Sequence, residues 1–79
     1  MTDEKFREAE RINKNRERVE DELSFLKKSE YCCIKSYNDT GSHTEVKELN
    51  CIPMSVIYTF ASEYLTQELA NLEEQFKNL

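Results

Sequence analysis

Between residues 3 and 28 apolar side chains recur at heptad spacing inside an otherwise charged stretch. Ala9, Arg16 and Leu23 fall at the a positions and Ile12, Val19 and Leu26 at the d positions, while Phe6 and Phe25 widen the stripe at its two ends. Steps of three and four residues put such side chains on one helical face. Thr2 or Asp3 offers a capping oxygen, and Asp3 and Glu4 suit the positive end of the helix dipole as Lys27 and Lys28 suit the negative end. The spacing predicts a helix over 1–29. A second is predicted over 53–78, with Pro53 at its first helical position, where a preset φ helps and the missing N–H costs nothing. Its first half is broadly apolar (Val56, Ile57, Phe60, Ala61, Tyr64, Leu65), and its second half narrows to Leu69, Leu72, Phe76 and Leu79. The broad half is expected to bury against the segment between the helices, and the narrow half against another helix.

That intervening segment, 30–50, changes period. Tyr31-Cys32-Cys33-Ile34-Lys35-Ser36-Tyr37 has the aromatic, thiol and β-branched content of a strand, Asn38 to Ser42 is a turn cluster around Gly41, and His43 to Leu49 alternates loosely. The pattern predicts a β-hairpin with a loop of about four or five residues and a left-handed glycine. An isolated two-stranded hairpin is marginal in water, so it must lie against the helices or pair with another hairpin.

The expected architecture is a single domain over 1–79, mainly α with a small β-hairpin: long helix, hairpin, long helix, folded as an antiparallel helix pair. Such a pair buries one side of each rod, so oligomerisation, to a dimer or higher, is expected to complete it. The oligomer seam is read as Ala9, Ile12, Val19, Leu23 and Leu26 from the first helix and Leu65, Leu69, Leu72 and Phe76 from the second. Arg16 is the charge on that seam. Either its stem lies along the seam while the guanidinium reaches a glutamate, or it fixes register or faces a cavity that binds an anion.

Composition sharpens this picture. Only 38% of the 79 residues are hydrophobic and 34% are charged, with one Gly, one Pro and no Trp, a balance suited to long helices and not to a loop-rich scaffold. The net charge is −5. Residues 1–30 carry eight basic and nine acidic side chains, and residues 51–79 set Lys77 alone against Glu63, Glu68, Glu73 and Glu74. Nucleic acid is therefore not an expected partner, since phosphate binding needs a basic patch. No apolar run near the length of a membrane span and no leader or lipidation signal is present, and a cytoplasmic protein is expected, in the host cytoplasm if phage-encoded. Cys32, Cys33 and Cys51 are an odd set, expected to be reduced thiols.

Catalytic chemistry is not expected. His43 could approach Cys33 across the strands, but nothing nearby would lower the thiol pKa or form an oxyanion site. Adjacent cysteines fit tetrahedral zinc poorly, so no metal site is predicted, and no cofactor is expected. The carboxylates follow helix-surface spacing with mixed neighbours, as in Glu10–Lys14, Arg18–Glu22 and Glu4–Glu8. The remaining polar-aromatic cluster is Tyr31, Lys35, Tyr37, Asn38, His43 and Lys47 around the hairpin. With Arg16 these are the candidate residues for binding a ligand or partner. Tyr58 and Tyr64 are read as core, and Tyr37 as a recognition residue.

Glu48-Leu49-Asn50-Cys51-Ile52-Pro53, followed by Leu65 through Leu79 with its Leu69-Ala70-Asn71-Leu72-Glu73-Glu74-Gln75-Phe76 stretch, resembles small early proteins of bacteriophages and prophages. There a charged helix precedes a short hairpin and a Pro-entered helix ending in a Leu–Glu-rich tail. The resemblance spans most of the chain and implies a non-enzymatic host-takeover or anti-defence inhibitor. Such a protein binds a host protein or sequesters a small anionic ligand in an oligomer pocket. The other readings are a structural or assembly module built on homo-oligomerisation, and a DNA-associated regulator using the basic residues of 5–18.

Overall fold

The computed structural model describes residues 2–79. Helix α1 spans Asp3–Lys28, strand β1 Lys35–Asp39, strand β2 Thr44–Glu48 and helix α2 Met54–Lys77. Thr2 is the cap of α1: its extended backbone turns the side-chain oxygen onto the Lys5 N–H at 3.2 Å. At the other end Ser29 leaves helical geometry, its N–H still donating to the Leu26 carbonyl at 3.1 Å and its hydroxyl to the Phe25 carbonyl at 2.8 Å. Pro53 occupies the cap of α2, one place before the first helical position expected for it, with ψ at 143°. Its carbonyl accepts from the Val56 and Ile57 N–H groups at 3.0 and 3.2 Å.

The two helices pack on each other. The last turns of α1, through Phe25 and Leu26, and the first turns of α2, through Ile57 and Ala61, line one hollow, so α2 runs back along α1. Among the described residues Ile12, Leu23 and Leu72 are the buried hydrophobics. Ala9, Val19 and Leu26 on one side and Ile57, Ala61, Leu65 and Leu69 on the other are half-buried around them. The heptad seam therefore works first within the chain, each helix covering the other.

That contact is thin. The molecule is elongated, measuring 49 × 34 × 16 Å. The core lies between two helices alone, and neither strand packs on it. The radius of gyration is 17.2 Å, against about 12 Å for a compact chain of this length.

The hairpin is antiparallel, with Lys35 opposite Glu48, Tyr37 opposite Val46 and Asp39 opposite Thr44 on one face, and Ser36 opposite Lys47 and Asn38 opposite Glu45 on the other. The pairing extends one step below the strands, where the Leu49 N–H donates to the Ile34 carbonyl at 2.9 Å. Gly41, at φ +88°, supplies the left-handed residue of the loop, its N–H held by the Asp39 carboxylate at 2.9 Å. The strand expected over Tyr31–Tyr37 is corrected to Lys35–Asp39. Beyond Leu49 the chain turns at Asn50 and Cys51, which leaves Tyr31, Cys32 and Cys33 no facing strand to pair with.

The expectation that the broad half of α2 buries against the hairpin is also corrected. Neither strand contacts a helix, and Val56, Phe60 and Tyr64 stand 54%, 72% and 61% exposed. The physical reason lies in the strands. One hairpin face offers the single apolar pair Tyr37 and Val46 and the other offers none, too little to hold it against a helix.

Candidate functional site

Two surfaces emerge from this arrangement. The first is an open groove of about 610 Å³ where the end of α1, the connector after it and the start of α2 converge. Leu26, Ile57, Ala61 and Leu65 form its apolar lining, Cys32 enters from the connector, Asp21 and Glu22 stand on the α1 side, and Phe25 lies at its edge, 76% exposed. The groove exists because Ser29 breaks the helix and carries the chain aside, which leaves the apolar flanks of both helices uncovered. Tyr64 follows Ile57 by seven residues, so its ring continues that side of α2, whereas Phe60 lies with Ser55, Val56, Thr59 and Glu63 about a separate hollow. Sequence reading used Phe25 only to widen a stripe and assigned Tyr64 to the core. A signal for apolar surface beyond the helix pair was available: Val56, Phe60 and Tyr64, at steps of four, form a second apolar line beside the Leu65–Leu72 line. Together they cover more arc than one partner helix can bury.

The second surface is the hairpin with its root. Six of the seven candidate binding residues lie here. Tyr31, at the root, donates its hydroxyl proton to the Glu48 carboxylate. That hydrogen bond, which only the neutral phenol can donate, pushes the Tyr31 pKa up to about 12, with the carboxylate's charge adding to it. Lys35 and Tyr37 project from one face, Asn38 and Lys47 from the other. His43 sits at the tip, its Nε2 3.4 Å from Glu45 and its Nδ1 3.2 Å from the Ser42 hydroxyl. That position corrects the expected approach of His43 to Cys33, because the register puts them at opposite ends of the hairpin. Arg16, the seventh candidate, is apart from the rest, in the middle of α1. It is half-buried along the seam with its Nε 3.9 Å from Glu20.

Elsewhere the charged side chains pair along α1. Arg11 grips Glu8 at 2.5 Å, which lowers the Glu8 pKa and raises that of Arg11, and Lys14 lies 3.7 Å from Glu10. Cys32, Cys33 and Cys51 are free thiols. Among the described residues no three His, Cys, Asp or Glu side chains are grouped to hold a metal ion, and no helix is long and apolar enough to cross a membrane. Comparison of the chain with protein-family models, curated proteins and solved structures finds no match.

Proposed function

We propose that this chain is a non-enzymatic, cytoplasmic interaction protein in which the helices assemble copies and the hairpin recognises a partner. This is the working plan expected of a phage-type host-takeover or anti-defence inhibitor that acts by binding. The observation that carries the reading is the division of the molecule. The strands are formed and closed by an ordered turn, yet they touch neither helix and leave Tyr37 67% and Val46 54% exposed. A hairpin that adds nothing to its own core is available for another protein, through the Tyr37–Val46 face and through unpaired strand edges.

A protein surface suits this hairpin better than a small anion. Lys35 stands opposite Glu48, and Lys47 shares its face with Glu45, so each cation has a carboxylate beside it. Concentrated positive charge, which a phosphate or nucleotide would require, is not gathered on either face.

The test is purification from bacterial host extract of the tagged chain beside its Tyr37→Lys variant. A specific protein retained by the original chain, lost from the variant and bound again by the two purified components supports the reading. Equal retention by both, or a co-purified small molecule in place of a protein, would overturn the role given to the hairpin. An oligomer with no companion of any kind would favour the assembly module.

A further inference from the structure

We infer that the groove between the end of α1 and the start of α2 is the seat of a second copy of this chain, docked face to face about a two-fold axis. This inference rests on the assembly role proposed above for the helices and assigns it to one face of the pair.

Three observations lead to a second copy. The protomer exposes 6654 Å², whereas a compact monomer of 9.4 kDa exposes about 5,000 Å². The projecting hairpin accounts for part of that excess, roughly 1,600 Å², and the bare flanks of the helix pair for the rest; an obligate dimer buries about 1,000–2,500 Å² per partner. Next, no third element packs on the two helices, so each leaves a flank bare, and a second helix pair of the same kind supplies the cover. Last, one face carries both halves of a self-complementary contact. Phe25 protrudes, 76% exposed, at the edge of an empty apolar groove of about 610 Å³, large enough to receive an aromatic ring. Under two-fold symmetry each copy offers its Phe25 to the other's groove, which is the requirement for an isologous interface. Tyr64, 61% exposed and seven residues after Ile57, extends the apolar surface beyond the groove.

The experiment is sedimentation velocity of the full chain over a concentration series, with Phe25→Arg, Tyr64→Arg and, as a control at the far end of the helix pair, Phe6→Arg. All three rings stand more than 60% exposed in the protomer, so the substitutions leave the helix pair itself unstrained. A dimeric parent whose dissociation constant rises about 100-fold or more with Phe25→Arg and with Tyr64→Arg, and holds with Phe6→Arg, is the expected result. Helicity is read by circular dichroism at the same concentrations, because a separated pair retains little core. Helix lost together with the dimer in the first two variants, and kept in the third, supports the same conclusion. A dimer that survives both groove variants overturns the face assigned here while leaving assembly intact. A monomeric parent removes the assembly reading itself.

Discussion

Ile12→Ala probes the contact on which the fold depends. Ile12 is 1% exposed, and because the strands touch neither helix, the cover over it comes from α2. Truncating a buried Ile to Ala costs about 2–5 kcal/mol, from lost transfer free energy and the cavity left behind. The better helix propensity of Ala returns less than about 0.7 kcal/mol. Single domains are stabilised by about 0.05–0.15 kcal/mol per residue, which gives this chain roughly 4–12 kcal/mol in total. One truncation therefore removes a large share of the whole, more than in a chain with many buried side chains, since among the described residues Leu23 and Leu72 are the other buried hydrophobics. The assay is urea unfolding followed by far-UV circular dichroism at fixed protein concentration, with the midpoint and slope compared between the two proteins. A loss of 2 kcal/mol or more, about the lower bound for such a truncation, is expected. A loss below about 1 kcal/mol, within the ordinary range for exposed sites, would refute the packing of α1 on α2 through this line.

Other outcomes follow from the local geometry. Gly41→Ala should cost the hairpin about 1–2 kcal/mol through its φ of +88° alone, because the added methyl meets no neighbour. Amide exchange should show the strands opening while the helices keep their protection. Thr2→Ala removes the oxygen that holds the Lys5 N–H and should lower stability by about 0.5–2 kcal/mol in the same urea assay, with fraying confined to the first turn of α1. Tyr31, with a pKa pushed up from 10.0 to about 12, should give an ionisation step near pH 12 in an ultraviolet pH titration, a step missing from Tyr31→Phe. The raised value belongs to the folded state, so its contribution to stability is complete below pH 10.0 and is lost as the pH rises towards about 12.

The helices were legible in the chain because their information is local. The heptad of Ala9, Ile12, Val19, Leu23 and Leu26, the cap at Thr2 and the charges at both ends define α1 without reference to anything distant. Gly41 placed the turn for the same reason, being the sole residue free to take positive φ there at little cost. Strand boundaries depend on what lies opposite. Tyr31 to Ile34 have strand-forming composition, but the turn at Asn50 and Cys51 takes their partner away. The candidate site divides along the same line. A polar-aromatic hairpin could be read from Tyr31, Lys35, Tyr37, Asn38, His43 and Lys47, whereas the groove needs Phe25, Cys32 and Ile57 brought together by the break at Ser29. No periodicity encodes that meeting. The wide apolar arc of α2 signalled a second contact, and the structure frees it from the hairpin, leaving Phe60 and Tyr64 in solvent.

The central claim is that one copy of this chain holds half of a core. Native mass spectrometry of the untagged protein across a dilution series tests it most directly. A discrete dimer, or a higher even-numbered assembly, whose dissociation on dilution is accompanied by loss of helical signal is the predicted result. A monomer that stays fully helical and resists urea at every concentration would show that Ile12, Leu23 and Leu72 suffice alone, and would contradict it.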